Sequence, residues 1–197
     1  GYGKSLMLFH MLRRTLGDET FIAGLRAFYR DHLFQSAGFA ELEKSFRQVA
    51  GADLTPFFRQ WLQRIGAPSL RLVEARTEPT GGGFNLQAVI EQTQDGPPYR
   101  LRIPLAISLE GESQVRSWEV ELDQVRQKFE IRLPSQPLRL DLDPEFDLFR
   151  RLDRREIPPA LSQLFGAERV LLVLPAAAPP RLLDAYGQRA RRWAEDG

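Results

Sequence analysis

The chain contains no cysteine among its 197 residues. That absence removes disulfide scaffolds, thiolate zinc sites, iron–sulfur clusters and cysteine nucleophiles together, and leaves the redox compartment open. Histidine is almost as scarce, with only His10 and His32 present. They form no His-x-x-x-His pair, whereas a catalytic zinc site takes three protein ligands, usually two of them on one helix face. No apolar run approaches the ~20 residues that span a bilayer, and Gly1-Tyr2-Gly3-Lys4 lacks the organisation of a signal peptide. Charge of one sign is missing as well: 27 Lys+Arg against 26 Asp+Glu give a formal net charge of +1, which argues against a bulk electrostatic nucleic-acid binder.

What remains, 43% hydrophobic and 27% charged, is the composition of a globular chain with enough apolar side chains for a sizeable core. The pattern divides at Gly66-Ala67-Pro68. Residues 4–65 predict four helices. The first, residues 4–16, concentrates Leu6, Met7, Leu8, Phe9, Met11 and Leu12 and reads as a helix buried in a larger body. The second carries Phe21, Ile22, Leu25, Phe28 and Tyr29, and the third Phe39, Leu42, Phe46 and Val49. The fourth opens with Thr55 as cap and Pro56 in the first turn, then presents Phe57, Phe58, Trp61, Leu62 and Ile65.

After Pro68 the period changes from 3.6 to 2. Strands are expected over 69–77, 84–92, 99–109, 114–122, 128–133 and 138–141, separated by turn sequences such as Gly81-Gly82-Gly83 and Asp95-Gly96-Pro97-Pro98. Pro104 suggests an edge position or a bulge in the third strand. A tail follows, with a short helix over 157–165, an apolar strand over 170–174 and a basic helix over 180–193. The expected fold class is segregated α+β: a four-helix segment (1–67), a small antiparallel β-sandwich (68–155) and a helix–strand–helix tail (156–197) that could open a further domain.

Few residues carry chemistry by type and spacing alone. His10, in an apolar helix, is expected to be buried and paired with a backbone carbonyl. His32 is expected at the end of the second helix, favourably placed in its dipole. Asp141, Asp143, Glu145 and Asp147 recur at every second position as in calcium loops, yet the required glycine is missing and Pro144 intrudes. Arg150, Arg151, Arg154 and Arg155 are expected on a solvated or ion-paired face. Tyr99 and Trp118 are candidate exposed aromatic contacts for carbohydrate or peptide, with a core role expected for Trp118.

Tyr2-Gly3-Lys4-Ser5, then Leu8-Phe9-His10-Met11-Leu12-Arg13 and Leu16-Gly17-Asp18-Glu19-Thr20-Phe21, resemble the M1 family of zinc aminopeptidases, apart from Ser5 where that family usually has glycine. The likeness continues through Ala50-Gly51-Ala52-Asp53-Leu54, Phe57-Phe58, Trp61-Leu62 and Gly66-Ala67-Pro68, with weaker echoes at Arg102-Ile103-Pro104-Leu105 and Asp143-Pro144. The resemblance implies the end of the helical half of a thermolysin-like catalytic domain, followed by a β-sandwich. It implies that Tyr2 is the catalytic tyrosine whose phenol donates a hydrogen bond to the oxyanion. It also implies that the zinc motif, His-Glu-x-x-His with a later Glu, lies upstream. The expectation is therefore a C-terminal fragment, inactive alone and binding no cofactor. Its partners would be the upstream catalytic half of the same polypeptide, which holds the zinc, and through it a peptide substrate, with no nucleic acid and no membrane segment. The alternative is a non-catalytic interaction scaffold built on the same fold.

Overall fold

A computed structural model describes residues 2–157, 160, 169 and 171–195. The chain divides into two compact units, Gly1–Leu152 and Asp153–Gly197. In the first, α1 (Tyr2–Leu16), α2 (Asp18–Asp31) and α3 (Phe39–Ala50) precede α4 (Thr55–Phe58), which runs on as a wider π turn over Arg59–Gln63. Gly17 (φ 78°) and Gly51 (φ 62°) end α1 and α3 in the left-handed region, which side chains resist. The Gly38 amide donates to Glu41 Oε2 at 2.7 Å and opens α3. Thr55 does not cap α4. Its hydroxyl donates to Glu43 at 2.9 Å, and the Asp53 carboxylate accepts from its amide instead.

Two three-stranded antiparallel sheets follow. One has the order β1 (Leu70–Thr80), β2 (Gly83–Gln92), β5 (Arg126–Leu133); the other β4 (Arg116–Leu122), β3 (Leu101–Leu109), β6 (Pro137–Leu142). Thr80 pairs with Gly83 across the Gly81-Gly82 turn, so the glycine run closes a hairpin. Pro104 lies on a central strand, contrary to the edge or bulge expected. Its carbonyl accepts from the Asp143 amide at 2.7 Å, so its ring nitrogen faces the same side, just beyond the first β3–β6 pair at Leu105–Leu142. The missing N–H therefore falls where no ladder bond is needed.

The period-2 pattern buries Leu101, Ile103, Leu105, Ile107 and Leu109 on β3. These join Leu86 and Ile90 of β2, Ile131 and Leu133 of β5, and Leu8, Leu12, Phe46 and Phe58 of the helices in one apolar cluster. Each such side chain contributes about 1.5–3 kcal/mol, so the helices and both sheets stand on a shared core. The 93–99 loop is tied into it by buried Gln92, whose side-chain amide donates to Tyr99 O at 2.7 Å and accepts from Tyr99 N at 2.8 Å. The first helix is less enclosed than its composition suggested. Leu8, Met11 and Leu12 are buried, whereas Leu6 is 70% exposed.

In the second unit, Asp153 opens a single 3-10 turn (Arg154–Glu156) and α5 spans Pro180–Glu195. Of the strand expected over 170–174, the described residues 171–174 form none, as a lone apolar segment has no ladder to join, and residue 170 lies outside the described residues. The helix expected over 157–165 lies, except for residues 157 and 160, outside the described residues. Among the described residues no helix is long and apolar enough to cross a membrane.

Two tests follow from this packing. A Cβ at Gly24 would come within 2.5 Å of the Phe46 ring, which is fully buried and cannot swing away. Gly24→Ala should therefore destabilise by about 1–3 kcal/mol in denaturant unfolding, despite alanine's better helix propensity. In the second unit, hydrogen bonds from the Arg155 side chain and amide pull Asp153 down to about 2. A lowered carboxylate supports the turn above its ordinary pKa and loses that support as pH falls through about 2. A carbon-13 titration should show that midpoint, and Arg155→Ala should move it upward.

Candidate functional site

The site is built from the end of β6. Beyond Leu142 the chain turns at Asp143 (φ 48°), with Phe146 (φ 56°) also left-handed. Both conformations are costly for a side-chain-bearing residue, and least so for aspartate. The turn is wound around the Asp143 carboxylate. Its Oδ1 accepts from the Asp147 amide at 2.7 Å and the Leu148 amide at 3.3 Å, and its Oδ2 accepts from Arg150 Nε at 2.7 Å. Both charged side chains are withdrawn from water, at 0% and 1% exposure. Burial pushes the Asp143 carboxyl up from its usual value, while the Arg150 guanidinium and the two amides pull it back. Arg150 is therefore a buried counter-ion and not part of a solvated face, because the turn brings it onto a carboxylate seven residues earlier. Arg151 is also structural: its Nε donates to Ser69 Oγ at 2.9 Å, and its amide donates to Pro68 O at 2.8 Å.

This turn holds α1. Asp147 Oδ1 lies 2.7 Å from His10 Nε2, and its Oδ2 lies 3.1 Å from Arg14. The Phe149 amide donates to Met11 Sδ at 3.4 Å. Lys4 donates to Arg64 O at 2.8 Å and sits 5.8 Å from the centre of the Phe149 ring. His10 is thus half-exposed and paired with a carboxylate, not buried against a backbone carbonyl; its partner comes from 137 residues away, beyond the reach of local pattern. His32, as expected, caps the C-terminal end of α2.

The acidic run does not converge. Asp141 pairs with Arg139, Asp143 with Arg150, and Asp147 with His10 and Arg14, because the left-handed turn ends the alternation of faces after Leu142. Among the described residues no group of three His, Asp or Glu side chains is placed to hold a metal ion. The aromatic-platform idea fails at Tyr99, which is 2% exposed, stacked on Trp61 at 5.5 Å and covered by the Arg64 guanidinium at 3.5 Å. Trp118 packs, half-buried, against the core.

Tyr2, the one residue the resemblance expects to be catalytic, opens α1 and is 97% exposed. Sequence reasoning named Lys4, His10 and Asp147 but not their contacts, and it missed Arg14 and Phe149, which also fix the helix beneath Tyr2.

No protein-family model matches the chain. It is 37% identical over 67 residues to an aminopeptidase N from Lactococcus lactis subsp. lactis, an alignment covering 34% of this chain and 8% of that relative. It is 27% identical over 71 residues to a leucyl aminopeptidase from Saccharolobus solfataricus, covering 36% of this chain and 9% of the other. The crystal structure of Legionella pneumophila aminopeptidase A in complex with aspartic acid superposes with a TM-score of 0.59 at 20% identity, over 77% of this chain and 18% of that one. The likeness is to aminopeptidases. The alignments span less than a tenth of these two relatives, as a fragment of such a polypeptide would.

Removing one member of the buried pair takes from the other a charged partner at 2.7 Å in a site closed to water. Asp143→Ala or Arg150→Ala should each cost about 3–5 kcal/mol in unfolding free energy, and Asp143→Leu combined with Arg150→Met distinctly less than the sum. Equal and additive small losses would show that the turn does not rest on this pair.

Proposed function

We propose that this chain is the C-terminal part of an M1-type zinc aminopeptidase, an enzyme that removes N-terminal residues from peptides. In this reading the helices end the catalytic domain, the two sheets form the β-sandwich that follows, and the division lies near residues 67 and 68. The observation that carries it is the sequence likeness to aminopeptidases over 67 residues. The fold likeness to a solved aminopeptidase supports it.

Among the chain's described residues no side chains group into a zinc site. Of its two histidines, His10 is engaged by Asp147 and His32 closes α2. The reading therefore assigns zinc to residues outside this chain and derives no step through it here. What this chain supplies is Tyr2. Its phenol is exposed, at the end of a helix held by the Lys4, His10 and Arg14 contacts, and is free to donate a hydrogen bond to a substrate oxygen that gains negative charge. A positioned donor of that kind is worth roughly 2.7–4 kcal/mol in the transition state. Anchoring α1 at Lys4, His10 and Arg14 limits the movement of the backbone that carries the donor, and so the ordering left to the reaction.

The 197-residue chain alone should bind no stoichiometric zinc and hydrolyse no leucyl-p-nitroanilide with or without added metal. Zinc-dependent turnover by it would overturn the reading. In the longer polypeptide, Tyr2→Phe should lower kcat about a hundredfold or more with little change in KM. An unchanged kcat would remove Tyr2 from the chemistry, and an inactive but peptide-binding wild type would identify the scaffold alternative.

A further inference from the structure

In the second unit, α5 sorts its side chains by chemistry. Leu182, Leu183, Tyr186, Ala190 and Trp193 recur every three or four residues and so line one side of the helix. That side is open to solvent: Leu182 and Tyr186 are each 45% exposed and Trp193 is 39% exposed. The opposite side is polar, with Arg181, Asp184, Gln188 and Arg192. At 16 residues and with four arginines, α5 is too short and too charged to cross a bilayer.

The chain as a whole is balanced, with 27 basic residues to 26 acidic, but α5 is not. It holds four arginines against Asp184 and Glu195. Two of the arginines border the apolar side. The Arg189 guanidinium lies 5.3 Å from the centre of the Trp193 ring. The Arg191 guanidinium lies back over Gly187, its nitrogens 3.7 and 3.8 Å from where a Cβ would stand. Among the described residues no ion pair engages any of the four arginines. A nucleic acid would meet these cations and leave the apolar side in water. A second copy of the helix would cover the apolar side but bring arginine-bordered edges together. An anionic lipid surface satisfies both features, because headgroups take the cations, acyl chains take the apolar side, and Trp and Tyr rings favour the boundary between them.

We propose that α5 binds the surface of an anionic phospholipid membrane and lies in its plane. Leu182, Leu183, Tyr186 and Trp193 enter the boundary between headgroups and acyl chains, roughly 5–10 Å deep. Arg189 and Arg191 reach from the two edges to lipid phosphates, with their apolar stems along the helix. What the helix recognises is a phosphate layer over hydrocarbon, and a free phosphate offers the first without the second. The inference stands on α5 alone and goes beyond the role given to Tyr2, so its failure would leave that role untouched.

The test is co-sedimentation of the 197-residue chain with vesicles of phosphatidylcholine and phosphatidylserine in a ratio of about three to one. Binding is expected, at least about tenfold weaker to phosphatidylcholine alone, and weakening as salt is raised. Arg189→Gln combined with Arg191→Gln should lower the affinity about tenfold or more. Acyl-brominated lipid in the same vesicles should quench tryptophan fluorescence of the wild type. Trp193→Leu keeps the apolar side intact, so it should still sediment with the vesicles and lose the quenching. No sedimentation, or equal sedimentation with neutral vesicles, would overturn the proposal. Binding that the arginine pair does not influence, or quenching that survives Trp193→Leu, would remove α5 from the contact. A dimer formed without lipid and dispersed by Tyr186→Ser with Trp193→Ser would give the apolar side to a second copy. Binding to polyuridylate in place of vesicles would give the arginines to nucleic acid.

Discussion

The first unit depends on one buried ion pair. Asp143 and Arg150 are seven residues apart and both excluded from water, and the chain between them is wound through two left-handed residues to let them meet. Neither charge tolerates burial alone, so the turn has one satisfactory conformation. That conformation aims Asp147 at His10 and Arg14 and brings the Phe149 amide onto Met11. The sheet that ends in β6 and the helix that begins at Tyr2 are thus joined by a device with little freedom to slip. Hydrophobic contact could bring α1 to the sheets, but it is non-directional and would not set the helix's rotation or its register along its axis.

The same unit shows how polar side chains complete an apolar core. Gln92 satisfies both backbone groups of Tyr99, and Gln60 does the same for Arg100. In each case a side-chain amide imitates a neighbouring strand where the ladder has stopped. The aromatic stack of Trp61 on Tyr99, edge-on to Phe149, lies between these two points. A cavity of about 340 Å³ lies beside Trp61.

Local periodicity made most of the fold legible. The stripe Phe21, Leu25, Phe28 on α2 and the alternation Leu101, Ile103, Leu105, Ile107 on β3 follow from the geometry of single elements, which needs no distant partner. All six strands stand where alternation and turn residues placed them, within a few residues. The failures share a cause. The tail strand over 170–174 is apolar enough, but a strand requires a neighbour and pattern does not supply one. Pro104 reads as an edge residue until the end of β6 is known to fall beside it.

Of the candidate site the sequence offered Tyr2 and Lys4, in the short run Tyr2-Gly3-Lys4-Ser5 that carries the resemblance, and His10 and Asp147 without their pairing. By itself the sequence determined the segregated α+β order, the helix and strand positions and the absence of any cysteine or clustered-histidine chemistry. These depend on composition and on interactions within a few residues. Only the tertiary structure decided that His10 meets Asp147, that Arg150 is buried, that Tyr99 is covered and that a cavity opens between α1, α4 and β3. Each of these joins residues far apart in the chain, or depends on the path of a turn, and a one-dimensional pattern carries no record of which distant faces will meet.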